Sequence, residues 1–238
     1  MDLAPSVMVK HGNRLTSSLS ELDWDRWKRQ IETVQLKVGE VLFDAGEQIH
    51  HIYFPLTGII SQQYDFEDGK SAEFAQMGNE GMAGVFIFMG SASTSSKAIV
   101  IAGGIAYRLP ALWMLQEFNS SSPFRQLVLH YMQILMTAAS QQAVCNRRHS
   151  IDQQLCRTLL LQLDRVAGND LSLTHELISR SMGVRREGVS EAAKRLENSG
   201  AIRYSRGHIQ VLNREALLKT SCECYSIIKS EDRRLFPS

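Results

Sequence analysis

Between Arg180 and His208 the chain gathers seven cations, Arg180, Arg185, Arg186, Lys194, Arg195, Arg203 and Arg206, against three carboxylates, Glu187, Glu191 and Glu197. The whole chain carries a net charge of only +1, so the positive excess is local, as on a surface that meets phosphates. The residue types also suit base edges. A guanidinium can give a bidentate pair to guanine O6 and N7, a carboxylate can accept from cytosine N4, and a hydroxyl can serve either base. Arg185, Arg186, Ser190 and Lys194 recur at a spacing that turns them to solvent on one helix, and the cations stand at its front.

Two short helices and a hairpin must position these groups. Thr174 is a suitable N-cap, and Leu177, Ile178 and Met182 make one apolar face of a first helix. Gly183 can adopt the left-handed conformation that ends it. A second helix is predicted from about Arg185, with Val189, Ala192, Ala193 and Leu196 inward. Asn198-Ser-Gly200 stops that helix. Ala201 to Tyr204 and His208 to Leu212 then read as strands joined by a tight turn at Ser205, Arg206 and Gly207. Together these form a winged helix-turn-helix. An ordinary helical hairpin beside a β-hairpin would share the spacing but not the sorted charge.

The 238 residues suffice for two domains, and 44% hydrophobic with 21% charged residues is ordinary for a globular chain. Apolar runs such as Met82 to Met89 and Ala98 to Leu109 fall short of the roughly 20 residues that span a bilayer. The start, Met-Asp-Leu-Ala-Pro, lacks a basic region followed by an apolar run, so no signal peptide and no membrane partner are expected, and the protein should remain cytoplasmic. No Gly-rich phosphate loop, Gly-x-Ser-x-Gly elbow, His-Glu-x-x-His pair or paired carboxylates occur, so an enzyme is not expected. Cys145, Cys156, Cys222 and Cys224 are expected to be free thiols. Cys222 and Cys224 could be half of a metal site, but no second close pair of Cys or His completes it, so neither metal nor cofactor is expected.

Elsewhere, Ser20 to Asp23 should cap a helix running to about Val34, with Leu22, Trp24, Trp27 and Ile31 apolar. From Leu36 to Leu109 short runs broken by Gly, Pro and Asp indicate an antiparallel barrel or roll. They include 41–43, 49–54, 58–61, 72–75, 98–101 and 105–108. Leu112 to Phe118 looks helical, and Ser120-Ser-Ser-Pro123 starts a long helix. Phe124, Val128, Tyr131, Leu135, Ala138 and Gln142 repeat along it in steps of four and three, with Leu127, Ile134 and Met136 widening the apolar surface. Such a helix has two things to touch, its own β domain and the same helix of a second subunit; those six residues are expected to form a homodimer seam, as a two-fold DNA reader favours, the alternative being a single buried core helix in a monomer. Asn146 to His149 breaks the pattern, and Ser150 to Gln153 can cap a further helix. The expected division is 1–118, an N-terminal helix and sensor-like β-roll; 119–148, the linking and dimerisation helix; and 149–238, the winged helix-turn-helix.

A β-roll, a long helix and a C-terminal winged helix-turn-helix in this order resemble the Crp/Fnr family of bacterial transcription regulators, over roughly Leu36 to Leu217. The most specific piece is Met182 to Ser190, Met-Gly-Val-Arg-Arg-Glu-Gly-Val-Ser, similar to the family's Gly-x-[Ser/Arg]-Arg-Glu-x-Val segment. The resemblance implies an α+β chain with a cyclic-nucleotide-binding-like roll, acting as a homodimeric DNA-binding regulator on an inverted repeat. By it, Arg186, Glu187 and Ser190, with Glu191, would read bases of double-stranded DNA. Thr174, Arg185, Lys194, Arg206 and His208 would meet the backbone. RNA polymerase is a further contact it implies. The other reading is a protein-binding signalling module whose winged helix contacts protein.

Glu191 stands where many members carry arginine, so the site preference of those members does not carry over. Other departures bear on the input. Met82, in Gly81 to Phe86, stands where cyclic-nucleotide binders have the ribose-binding glutamate, and Ser96-Lys97-Ala98 offers no arginine for the phosphate. Cyclic AMP and cyclic GMP are therefore not expected to bind. The iron–sulfur sensor is excluded too, because no cysteine precedes Cys145. His50 and His51 alternate faces on a short strand, a poor arrangement for haem. The sequence identifies no small-molecule effector.

Overall fold

A computed structural model describes residues 12–69, 71–166, 168–205 and 207–236. By its internal contacts the chain divides into two units, residues 1–60 with 77–129, and residues 61–76 with 130–238.

The first unit holds the greater part of a β-roll. Helices α1 (Arg14–Ser17) and α2 (Glu21–Trp27) precede β1 (Glu32–Leu36), β2 (Val41–Phe43), β3 (His51–Pro55), β4 (Ile59–Asp65), β5 (Ser71–Met77), β6 (Lys97–Ala102) and β7 (Gly104–Pro110). Each of the six runs read as strands coincides at least in part with one of β2 to β7. One sheet runs β1-β7-β3 and another β2-β6-β4-β5, with β7 antiparallel to both neighbours. The helix expected to reach Val34 stops at Trp27, and Thr33 and Val34 pair with Tyr107 and Ala106 instead. β-branched residues with a partner strand favour the ladder over another helical turn. Leu22, expected inward, is exposed. Trp24 and Trp27 are buried. The Trp27 indole donates to Glu117 Oε2 at 3.2 Å, and Arg26 pairs with the same carboxylate at 2.6 Å, which satisfies a buried charge.

Helix α3 (Ala111–Ser120) leads to α4 (Ser122–Arg148), whose Phe124 N–H donates to Ser121 Oγ at 3.3 Å. The residues expected to form a seam on α4 divide into two groups. Phe124, Val128 and Tyr131 are buried within the single chain, and Phe124 packs edge-on to Trp27 at 4.9 Å and to Phe88 at 6.0 Å. Leu135, Ala138 and Gln142 are half-buried and line a small pocket with Glu73, Gln76, Arg157 and Ser181. The Gln142 amide donates to the carbonyls of Glu73 and Ser181 at 3.2 and 2.6 Å. A helix apolar on two sides does not say in sequence which side its own chain covers. Here the chain covers Phe124, Val128 and Tyr131, and the exposed large apolar residues of α4 are Leu129, Met136 and Val144.

In the second unit, α5 (Ile151–Leu163) starts at a capping box of Ser150 and Gln153. It is followed by β8 (Asp170–Leu171), α6 (His175–Met182), α7 (Arg186–Asn198), β9 (Ile202–Ser205), β10 (His208–Val211), α8 (Arg214–Thr220) and α9 (Cys224–Leu235). Leu155, Leu159 and Leu160 of α5 share one apolar core with Ile178, Met182, Val189, Ala192, Leu196, Ile202 and Ile209. That core fixes α6, α7 and the hairpin in one frame. The sheet order is β8-β10-β9.

Candidate nucleic-acid interface

The Thr174 side chain accepts from Leu177 N–H at 3.1 Å and starts α6. Gly183 ends it with φ 65° and ψ 30°, a left-handed conformation that costs other residues roughly 1–2 kcal/mol. The reversal leaves Arg185 as the extended residue before α7. Val189, Ala192, Ala193 and Leu196 are buried, while Arg185, Arg186, Glu187, Glu191 and Lys194 are exposed. Arg185, Arg186 and Lys194 make no ion pair with any described residue. At the N-terminal end of a helix, backbone N–H groups and cations together favour an anion. Gly188 lets α7 approach α5, since a Cβ there would lie 2.8 Å from Ile151 Cδ1.

Two other cations of the stretch are engaged. Arg195 makes two hydrogen bonds to Asp152, at 2.9 and 2.6 Å, and Arg180 pairs with Glu176 one turn away at 3.1 Å. His208 is exposed on β10, 3.5 Å from Asp170 Oδ1. Arg206 lies outside the described residues.

Ser190, expected to read a base, has partners within its own chain. Its hydroxyl donates to the Arg186 carbonyl at 3.0 Å and lies 2.9 Å from His175 Nδ1. Having given its proton to the carbonyl, it accepts from Nδ1–H, which assigns the ring tautomer. The His175 ring stacks on Tyr204 at 4.2 Å, so one imidazole joins α6, α7 and β9. Sequence reasoning missed it, although its place directly after the helix cap, fifteen residues before Ser190, was visible. Burial, and then the Arg186 charge, lower its pKa and keep it neutral.

In the roll, Met82 and Ser96 are both buried, and Ser96 Oγ lies 2.9 Å from Thr94 Oγ1. A thioether at 82 supplies no carboxylate to a ribose, and neither residue supplies a planar cationic fork. His50 is exposed, whereas His51 is half-buried beside Tyr53.

The four cysteines are free thiols, but the expectation that nothing completes Cys222 and Cys224 is overturned. Cys145 near the end of α4 and His149 just after it come to the α8–α9 connection, and one ligand atom from each of the four residues lies within 4.8 Å of the others. Burial pushes the Cys145 and Cys224 thiols up from the ordinary range. The available signal was Cys145 and His149 four residues apart at a helix end.

Residues 153–220 match the model of the Crp-like helix-turn-helix domain, and residues 33–121 match that of the cyclic nucleotide-binding domain. No curated protein matches the chain. Among solved structures, FixK2 from Bradyrhizobium japonicum is similar at 16% identity and TM-score 0.71, over 81% of this chain and 98% of that one. A protein described as a Crp/Fnr-family transcriptional regulator from Eubacterium rectale is similar at 17% identity and TM-score 0.67, over 87% and 96%. A CRP-family transcriptional regulator from Thermus thermophilus is similar at 16% identity and TM-score 0.67, over 79% and 96%. At these identities the likeness of structures establishes the fold.

Proposed function

Because the chain belongs to the Crp/Fnr family of transcription regulators, we propose that it acts as a homodimer that reads an inverted repeat in double-stranded DNA without a cyclic nucleotide. The observation that carries this reading is the front of α7, where Arg185, Arg186 and Glu187 are exposed and the two arginines have no ion-pair partner among the described residues. Arg186 takes guanine O6 and N7, Glu187 accepts from a nearby cytosine N4, and Glu191 faces the same groove. Thr174, Arg185, Lys194, His208 and Arg206 meet phosphates. Ser190 and His175 hold the reading helix against α6 and the wing.

The two-fold seam of this reading is the exposed side of α4, with Leu129, Met132, Met136, Ser140 and Ala143 in steps of three and four. Leu129, Met136, Ser140 and Ala143 are exposed and Met132 is half-buried. The period suits two parallel helices, and small residues at 140 and 143 let their backbones come close. The partition of the chain into 1–118, 119–148 and 149–238 follows the same division of labour. No helix among the described residues is long and apolar enough to cross a membrane.

A salt series on a labelled duplex tests the DNA reading. Affinity should fall linearly on logarithmic axes with a steep slope, because phosphate contacts release counterions. A salt-independent affinity would support the protein-binding module instead.

A further inference from the structure

Cys145, His149, Cys222 and Cys224 take no part in reading DNA, yet the fold draws them together. Three sulfurs and one ring nitrogen lie within 4.8 Å of one another, with Cys145 Sγ 3.4 Å from Cys222 Sγ and Cys224 Sγ 3.7 Å from His149 Nδ1. A single tetrahedral zinc ion with bonds of about 2.3 Å to sulfur separates its ligand sulfurs by about 3.8 Å. The observed separations bracket that edge length. They close on one ion and are too tight for the spread ligands of a multi-iron cluster.

Two further observations point to a ligand rather than to a chance meeting of thiols. His149 turns Nδ1 toward the sulfurs, while its Nε2 lies 3.2 Å from Glu223 Oε2. A carboxylate on the far nitrogen is the arrangement that fixes the tautomer and orientation of a metal-bound imidazole. The charges also close. Three thiolates and a neutral imidazole around a divalent ion leave one net negative charge, and Arg157 of α5, in the same unit, is a buried cation. Its Nε has no hydrogen-bond partner among the described residues.

We propose that Cys145, His149, Cys222 and Cys224 form a closed tetrahedral site for one thiophilic divalent cation, zinc by its chemistry. Four protein ligands leave no open position, and the three cysteines are buried, so the ion is structural. It ties the end of α4 to the α8–α9 connection, where the apolar contacts of those three cysteines form a small cluster of their own. The Gln154 amide, donating to the His149 carbonyl at 2.9 Å, steadies the loop that presents the imidazole. The site shares no residue with the DNA-reading set, and its test does not depend on DNA.

The experiment uses the full chain, reduced and stripped of metal with a chelator. Zinc is then added in competition with a chromophoric chelator, and cobalt(II) is added separately for its spectrum. The expected result is one ion per chain, a cobalt spectrum with the charge-transfer bands of thiolate in a tetrahedral field, and a higher thermal midpoint with zinc than without. Glu223 is exposed, so Glu223→Gln should fold and bind zinc about 10- to 100-fold more weakly. His149→Gln should weaken it further. Less than one equivalent bound by the reduced wild type would overturn the proposal, as would an octahedral cobalt spectrum. So would a Cys145–Cys222 disulfide whose reduction restores no metal uptake, or zinc affinity unchanged in both variants.

Discussion

Met136 is 68% exposed in the single chain, which gives the dimer seam a magnitude. Fully burying a methionine side chain is worth roughly 1.5–3 kcal/mol, so covering the exposed share contributes about 1–2 kcal/mol per chain and about 2–4 kcal/mol per symmetric dimer. At about 1.4 kcal/mol per tenfold, Met136→Ala should weaken dimerisation roughly 30- to 700-fold. Sedimentation equilibrium across nanomolar to micromolar protein measures it. Leu135→Ala is the control, because Leu135 is half-buried and faces residues of its own chain. It should lower the thermal midpoint, at a cost of about 1–2 kcal/mol for a half-buried leucine, and leave the dimer constant within about threefold. An unchanged constant in Met136→Ala beside a large shift in Leu135→Ala would refute the reasoning and return the seam to the buried stripe.

Gly183→Ala should cost about 1 kcal/mol, because its Cβ would meet only Asn146 Nδ2 at an ordinary 3.6 Å while its φ of 65° is strained for alanine; Gly183→Asn should cost less, and chemical denaturation reads both. The His175 pKa is lowered, so the folded state binds fewer protons than the unfolded one near its ordinary value. The stability this contributes is complete above about pH 6.5 and is lost as pH falls below it. The thermal midpoint should therefore drop as the pH is taken from neutral to mildly acidic, and drop less in His175→Gln; an equal drop in both would remove the latch from the account, with His51, whose pKa burial also lowers, carrying the remainder. Calorimetry should find no micromolar affinity for cyclic AMP or cyclic GMP, since Met82 and Ser96 supply neither carboxylate nor guanidinium; a micromolar constant would contradict that reading.

The winged helix-turn-helix was legible because its signals are local. Thr174 caps, Gly183 turns, and Val189, Ala192, Ala193 and Leu196 keep one face, and the structure has all of these where the spacing puts them. The features that were not legible depend on pairings distant in sequence. Val34 left its helix because Ala106, far along the chain, offered a strand. The α4 stripe faced inward because Trp27 and Phe88 met Phe124. Ser190 carried the type and spacing of a base reader, yet His175 engages it. Cys145 and His149 looked isolated because their partners, Cys222 and Cys224, follow only after the whole DNA-reading unit.

The central claim is that α7 reads bases, and selection of bound sequences from random duplex DNA tests it most directly, run in parallel on the wild type and Arg186→Ala. The wild type should select an inverted repeat with half-site centres about 10 bp apart. Arg186→Ala should lose preference at one symmetric pair of positions, where a bidentate contact to guanine discriminates by roughly 1–3 kcal/mol, and keep the rest of the motif. An identical motif from both proteins, with affinity lowered equally for every duplex, would contradict the account.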